Sequence, residues 1–594
     1  MMKFRIALAQ MNPVVGDIRG NSKKIAGEIR RAKSAGADIV LFPELALTGY
    51  PPEDLLLKPL FIYECDKQLN QIAAEVRDIV AVIGLPIIES DSYNAAAVCA
   101  QGEIGEVYRK ICLPNYGVFD EQRYFAAGSE VVVLDIDGGR FGLTICEDLW
   151  LSDGPYTECV TRGGAHAILN ISASPFHAEK TADRERMLIQ RAVDVGAYIV
   201  FCNMVGGQDE LLFDGCSCVI DPDGNVIARA PAFQSDLLFV DIDIDVAIRH
   251  KLRDPRQRET SALVGSPFVE PATITPVPHQ RRANKTPMTT VIEAIPNSID
   301  LTIMGIITGI RDYARKNGFA RALIGISGGV DSALVAALAC KSLGLKNVLG
   351  LFMPSKFSSA ESAEDAAELA KNLGFELTET PIQDAVECFE KTLSPLFAEK
   401  ARDVTEENIQ ARVRGTMLMA VSNKFGHLLL ATGNKSEMSV GYATLYGDMC
   451  GGYAPIKDLP KTLVYGLCRR LNAKAGGDFI PARIIDKAPT AELRENQKDS
   501  DTLPEYDVLD RILHRYIEQE MSFENIVEDG FDPLTVGQVI RMVNAGEHKR
   551  RQAPPGVKIT SLAFGKDRRI PITNHFSRIE APSAIPVRDV HKND

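Results

Sequence analysis

The chain has 594 residues, of which 45% are hydrophobic and 24% charged, and a formal net charge of −13. This is globular composition, which excludes wholesale disorder and fibrous repeats, and the negative balance counts against a general nucleic-acid coater. The opening run MMKFRIALAQMN has a charged start, but its apolar stretch ends at Gln10. It therefore predicts a first strand and not a secretory leader. The most apolar run, Ile79 to Ile88, is ten residues long and is broken by Gly84 and Pro86, well short of the roughly 18 apolar residues of a membrane span. The expectation is a cytoplasmic chain with neither nucleic acid nor membrane as partner. Twelve cysteines are scattered without a C-x-x-C pair, and nine histidines are equally dispersed. No zinc-site spacing stands out, so most of the thiols are expected to be reduced and buried.

Taken in chain order, FRIALAQ, ADIVLFPEL, IVAVIGLPII, AAAVCAQ, VVVLDID, RFGLTICED, AHAILNIS, AYIVFCNMV and CSCVIDPDG predict strands. Many are apolar throughout, as a sheet covered on both faces requires. Helices are predicted over Asn21–Ala35 and Arg184–Val195. Five prolines between Pro267 and Pro287, with the polar run His279-Gln280-Arg281-Arg282, read as an extended connector with few regular hydrogen bonds. Beyond it, RALIGISGG leads into a helix, and NVLGLFMPS and HLLLATGN supply further strands. Such β–loop–α repetition implies a doubly wound parallel sheet. The expected organisation is an α/β domain over 1–266, a proline-rich linker over 267–290 and a second α/β domain over 291–594.

Three ionisable residues sit at or just after strand ends: Glu44 in ADIVLFPE, Lys110 in GEVYRKICLPN and Cys146 in RFGLTICEDLW. Singly, a cysteine in a strand belongs to the core and a glutamate after a strand is solvated. Together they form an acyl-transfer set. A thiolate attacks an amide or nitrile carbon, a carboxylate moves the proton, and an ammonium with a backbone N–H stabilises the oxyanion. FPELALTGY, KICLPNYGVFDE and TICEDLW, in this order, resemble the nitrilase superfamily of C–N hydrolases over most of residues 3–270. The resemblance implies an αββα sandwich with Glu44 as general base, Lys110 as the oxyanion-stabilising cation and Cys146 as nucleophile. Glu121 would be a further active-site carboxylate that holds Lys110. By the same resemblance, Tyr116, Ser174 and Lys180 bind the head group of a glutamine substrate.

LIGISGGVDSALVAAL reads as a buried strand, a glycine loop and a helix opening at Asp331 or Ser332. Gly328 and Gly329 allow close backbone approach to phosphate, toward which helix N-terminal amides present positive charge. No Lys-Ser/Thr follows, so this is not a Walker A loop. The run Gly325, Ile326, Ser327, Gly328, Gly329, Val330, Asp331 and Ser332 resembles the PP-loop of N-type ATP pyrophosphatases, which implies ATP as co-substrate and Mg²⁺ at Asp331. ENIQARVRG, LLLATGNKSEMSVGYATLYGD, DLPKTLVY, KAPTAEL and HKRRQAPPG resemble the NAD synthetase branch of that group. Carried over, Thr432, Lys461 and Thr490 lie at ATP, and Glu437 joins Asp331 at the metal. Asn408, Glu437, Lys549 and the adjacent His548 meet the nicotinate dinucleotide. Arg550 and Arg551 are expected to be part of a solvated basic run.

Ammonia in neutral water is mostly ammonium, which has no lone pair to attack an acyl-adenylate, so a synthetase fed by glutamine gains from a shielded route. The combination resembles the glutamine-dependent NAD synthetases along essentially the whole chain. It implies a homo-oligomeric ligase with deamido-NAD, ATP and glutamine as substrates. Two alternatives are a PP-loop enzyme with another acceptor, tRNA included, and a nitrilase-like front half that only scaffolds. The net charge and the missing C-x-x-C weigh against tRNA, and the intact triad weighs against a scaffold.

Overall fold

The computed structural model describes residues 2–253, 272–281, 288–398, 400–495, 497–574 and 576. Its contacts divide it into two units, Met1–Gln208 with Leu212–Asn297, and Asp209–Leu211 with Ser298–Asp594. Among the described residues no helix is long and apolar enough to cross a membrane.

The strands of the first unit are β1 (Lys3–Gln10), β2 (Ile39–Leu41), β3 (Val80–Ile88), β4 (Ser92–Ala100), β5 (Glu103–Arg109), β6 (Val132–Ile136), β7 (Gly139–Ile145), β8 (Ala167–Ser172), β9 (Tyr198–Asn203), β10 (Val205–Gln208), β11 (Leu211–Asp214, whose first residue falls to the second unit), β12 (Cys218–Ile220), β13 (Val226–Arg229), β14 (Asp236–Asp243) and β15 (Thr273–Pro276). One sheet runs β14-β1-β2-β3-β4-β5 and the other β13-β12-β9-β8-β7-β6-β15. The period of two decides the layers. Along β1, Phe4, Ile6 and Leu8 pack against Phe141, Leu143 and Ile145 of the second sheet. The alternate residues Ala7 and Ala9 pack with Ile18, Ile25 and Ile29 of the helix Ile18–Ser34 and Leu69 and Ile72 of the helix Pro59–Glu75. On the other side Ile168, Ile199 and Phe201 meet the helices Pro155–Thr161 and Lys180–Val195. The result is the expected αββα sandwich.

Part of the proline-rich connector is not free of regular pairing. Thr273–Pro276 lies parallel to β6, Thr273 opposite Val132, and closes the edge of the second sheet. An edge strand tolerates prolines because one side of its ladder needs no N–H. The rest of 267–290, apart from residues 272–281 and 288–290, lies outside the described residues.

The second unit holds β16 (Ala322–Ile326), β17 (Val348–Phe352), β18 (Glu376–Glu379) and β19 (Leu428–Leu430). They form a wholly parallel sheet of order β18-β17-β16-β19. Leu323, Leu351 and Leu429 pack against Val386 of the helix Gln383–Phe397 and Ile409 and Val413 of the helix Val404–Phe425. The helix Val330–Leu343, buried almost all round, packs against β16 and β17. A separate helical core gathers Leu509, Ile512, Ile526, Val539 and Ile540.

In the sandwich β7, β8 and β9 are mutually parallel, so the residues that follow them emerge at one edge. Gly84, which interrupts the apolar run of β3, is what brings the Glu44 loop against the first sheet. A Cβ at this position would stand 2.3 Å from the Pro43 carbonyl oxygen and 2.6 Å from the Leu45 nitrogen. Gly84→Ala should therefore displace that loop and destabilise the first unit by about 1–3 kcal/mol, the usual cost of overpacking. Calorimetry on wild type and variant checks this, and an unchanged first unfolding midpoint would contradict the packing.

Candidate functional site

Glu44 follows β2, Lys110 follows β5 and Cys146 follows β7, and all three are almost fully buried. The Lys110 Nζ donates to Glu44 Oε1 at 2.6 Å and to both oxygens of Glu121 at 2.9 and 2.8 Å. Glu44 also accepts from Asn94 Nδ2 at 2.7 Å and from the Ala173 N–H at 2.9 Å. These donors, from β4 and from the turn after β8, fix both oxygens of the carboxylate. The Tyr50 hydroxyl donates to Glu121 at 2.9 Å. Cys146 opens a single helical turn, Cys146–Leu149, with a left-handed φ of 44°. A side chain held in that region is displayed on a sharp bend, as nucleophiles at strand-to-helix turns are.

Two buried carboxylates share one buried ammonium, and the titration follows from that count. Burial by itself would lower the Lys110 pKa, but Glu121 and Glu44 outweigh it and hold the ammonium well above its ordinary value. Burial raises Glu121 to about 7, with Lys110 opposing and Glu44 adding to the rise. Burial, and then the Glu44 charge, push the Cys146 thiol well above its usual value against the pull of Lys110. If the Cys146 sulfur is to attack, its proton needs an acceptor, and Glu44 lies within its electrostatic reach.

Of the expected head-group residues, Tyr116 and Lys180 contact the same turn and the Trp150 that follows it. The Tyr116 hydroxyl donates to Glu147 at 3.0 Å. The Lys180 ammonium stands 3.6 Å from the centre of the Trp150 ring, and burial followed by the Arg184 charge lowers its pKa. Ser174 is buried beside Arg184, whose Nη1 lies 3.4 Å from Ser174 Oγ, and its N–H donates to Asn203. The sequence reading missed Glu147 and Asn94. Glu147 is the nearest carboxylate to the nucleophile in sequence, and burial raises its pKa. TICEDLW contained that signal. Asn94 lies in an alanine-rich strand, where only its polarity marked it.

In the second unit the loop Ser327–Ser332 follows β16. Gly328 has a φ of 78°, and a Cβ there would stand 2.6 Å from the Ser362 carbonyl oxygen. Ser332 Oγ donates to the Gly329 carbonyl at 3.0 Å, and the Gly329 N–H donates to Ser327 Oγ at 3.2 Å, so the loop folds on itself. Asp331 accepts from Asn434 at 3.0 Å and pairs with Lys461, whose ammonium also reaches Glu437 at 3.3 Å. Burial would lower the Lys461 pKa, but Asp331 and Glu437 raise it above its ordinary value. Burial, with Asp331 adding to it and Lys461 opposing, lifts Glu437 to about 8. Asp331 and Glu437 thus hold one cation between them, and hard oxygen donors of this kind suit Mg²⁺. Among the described residues no group of three or more His, Cys, Asp or Glu is placed to hold a metal by itself. Ligand oxygens would have to complete the shell.

Thr432 lies half-buried between β19 and the helix Lys435–Val440. Thr490 donates to the Gln497 carbonyl within its own loop. Lys487 and Glu492 pin that loop to Ser362 at 2.7 and 2.8 Å, beside Gly328. Asn408 and Lys549 converge on one segment, Asn408 accepting from Thr444 at 2.8 Å and Lys549 donating to the Gly441 and Ala443 carbonyls. His548 is half-buried, with its Nδ1 3.0 Å from the Ala545 carbonyl oxygen. Arg550 overturns the expectation of a solvated basic run. It is buried and donates to the Ser439 and Val543 carbonyls at 2.6 Å while pairing with Glu547 at 2.9 Å. It clamps helices together. Arg551 remains half-exposed, as expected.

Two family models match the chain, Carbon-nitrogen hydrolase over residues 5–251 and NAD synthase over residues 302–553. A glutamine-dependent NAD(+) synthetase of Thermotoga maritima is 48% identical over 97% of this chain and 99% of its own length, and one of Aquifex aeolicus is 46% identical over 96% and 100%. The solved structure of glutamine-dependent NAD+ synthetase from Acinetobacter baumannii in complex with ADP matches with a TM-score of 0.73 and 38% identity, covering 96% of this chain and 99% of that one.

The upward shift of the Cys146 thiol has a direct consequence. Without substrate, alkylation of Cys146 by iodoacetamide should still be rising with pH at 9, the ordinary thiol value, because the thiolate fraction remains small there. Mass-spectrometric rates for the Cys146 peptide across pH 6 to about 10 check this. A plateau below pH 8 would contradict the buried, acid-flanked environment.

Proposed function

The chain belongs to the glutamine-dependent NAD(+) synthetases, and we propose that its two sites divide that reaction between Cys146 in the first unit and the Ser327–Ser332 loop in the second. The enzyme converts deamido-NAD, ATP, glutamine and water into NAD, AMP, pyrophosphate and glutamate. The observation that carries the division is the sealed Lys110 ammonium, bonded to both Glu44 and Glu121 beside a cysteine on a left-handed bend.

At the first site Glu44 accepts the Cys146 proton as Sγ attacks the side-chain amide carbon of glutamine. The C–S bond forms, and the amide oxygen becomes an oxyanion that Lys110 stabilises. Collapse breaks the C–N bond, and Glu44 returns the proton to the leaving ammonia. Glu44 then takes a proton from water, which hydrolyses the thioester to glutamate and restores the thiol. Glu121 keeps Lys110 charged and in place throughout. Glu147 and Tyr116 suit the substrate's α-ammonium, and Ser174 and Lys180 its α-carboxylate.

At the second site the deamido-NAD carboxylate attacks the α-phosphorus of ATP, and pyrophosphate leaves into the cradle of Gly328, Gly329 and the amides opening the helix Val330–Leu343. Lys461 supplies positive charge to those phosphates, while Thr432 and Thr490 border them. Asp331 and Glu437 would hold Mg²⁺, which when bound neutralises charge on the pyrophosphate. Asn408, Lys549 and His548 belong to the dinucleotide side. Ammonia then displaces AMP from the acyl-adenylate. Self-association is part of the same reading, supported by the exposed apolar residues Leu57, Leu60 and Tyr63.

Cys146→Ala should lower glutamine-driven NAD formation on the order of 10³-fold or more and leave synthesis from ammonium salt intact. Asp331→Ala should remove NAD formation from both nitrogen sources. A coupled assay with amide-¹⁵N glutamine, reading label in the carboxamide of NAD, checks both. Unlabelled product from the wild type, or glutamine use by Cys146→Ala, would refute the division.

A further inference from the structure

Cys146 needs something to hold its left-handed bend in register with the lysine that must meet its oxyanion. Asp148, two residues on, is fully buried. Its Oδ2 accepts from the Ile145 N–H at 2.8 Å, closing the turn back over Cys146. The same oxygen accepts from the Tyr108 hydroxyl at 2.7 Å, and its Oδ1 accepts from the Cys112 N–H at 2.8 Å. Tyr108 and Cys112 stand two residues before and two residues after Lys110. One carboxylate therefore ties the nucleophile's turn to both flanks of the ammonium-bearing segment. The far end of the turn is held separately, by Arg191 donating to the Leu149 and Trp150 carbonyls at 3.0 Å.

We infer that Asp148 is a positioning residue for glutamine hydrolysis, setting the Cys146 sulfur against the Lys110 ammonium without touching substrate. This rests on the reading of Cys146 as nucleophile. The chemistry demands a carboxylate in particular. Three donors, two of them backbone N–H groups on different segments, arrive at two acceptor oxygens. An asparagine has one acceptor oxygen and an NH₂ that can only donate. Asp148→Asn therefore keeps the shape but sets a donor against a donor at one of the two segments. A misplacement of about 1 Å at a reacting centre costs on the order of 100-fold in rate.

The test uses the full chain and two nitrogen sources. Asp148→Asn should lower kcat for glutamine hydrolysis about 100-fold, with KM for glutamine little changed because Tyr116, Ser174 and Lys180 are untouched. Synthesis from ammonium salt should stay at the wild-type rate. Tyr108→Phe, which keeps both backbone bonds, should lower the same kcat less, by about threefold to tenfold. Unchanged kcat in Asp148→Asn would overturn the inference, as would a rise in KM alone or an equal loss from both nitrogen sources. If Asp148→Asn does not accumulate as folded chain, Tyr108→Phe carries the test, and wild-type glutamine hydrolysis in that variant overturns the inference. Cys146→Ala in the same assay separates the two levels. If it still uses glutamine, the nucleophile assignment fails and takes this inference with it. If it does not, an unchanged kcat in Asp148→Asn counts against the positioning role alone.

Discussion

The ammonium of Lys110 is removed from water and must be balanced where it sits. Losing one member of such a buried pair costs about 3–5 kcal/mol, because an unpaired charge is left behind. The chain meets that demand with two carboxylates, Glu44 and Glu121, and each brings its own need for donors. Glu44 draws in Asn94 from β4 and the Ala173 N–H from the turn after β8, and Glu121 draws in Tyr50. Segments far apart in sequence are thus fixed at one edge of the sandwich by a single charge-balance problem. Parallel strands in each sheet contribute: the Glu44 loop follows β2, which runs parallel to β1 and β3, and the Ala173 turn follows β8, which runs parallel to β7 and β9.

The second unit uses the same arithmetic with a different outcome. Asp331 and Glu437 again share one lysine, Lys461, but both carboxylates keep about 18% of their side-chain surface exposed, whereas Glu44 keeps 1%. The first cluster is closed around its ammonium. The second keeps part of its carboxylate surface accessible, as the proposed triphosphate site requires. Support lies one layer behind. Asp510 accepts from the Ser436 hydroxyl and from Thr462, and Ser436 Oγ accepts from the Lys461 N–H at 2.8 Å. The starts of the helices carrying Glu437 and Lys461 are thereby held to each other.

Much of this was legible because the chemistry sits where hydrophobic patterns end. Glu44 and Cys146 stand out as ionisable groups after apolar runs, Lys110 follows the end of a strand, and the glycine loop after β16 is a local signal. What stayed hidden depends on distant partners. Asp148 reads as one more acid in CEDLW until the Tyr108 hydroxyl and the Cys112 N–H arrive. Arg550 looks like solvated charge because its acceptors are carbonyls from other helices. The strand β18, Glu376–Glu379, is an exposed polar edge and offers little apolar signal. ADIVLFPEL reads as nine residues of strand, yet the ladder stops at Leu41, since Pro43 has no N–H to give it. The first long helix begins at Ile18 and not at Asn21, because Asp17 accepts from the Gly20 N–H and starts it a turn earlier.

The buried charge balance also explains why a cysteine hydrolase can share a chain with an ATP-consuming partner. Burial, and then the Glu44 charge, hold the Cys146 thiol above its usual value against the pull of Lys110. A thiolate–imidazolium pair would be nucleophilic at rest. In the division of the reaction proposed above, the thiolate forms as Glu44 takes its proton, and Glu44 is fixed by Asn94, Lys110 and Ala173 in one orientation. In that reading proton acceptor, sulfur and oxyanion partner must stay in register, and Asp148 bonds both the Cys146 turn and the segment that carries Lys110.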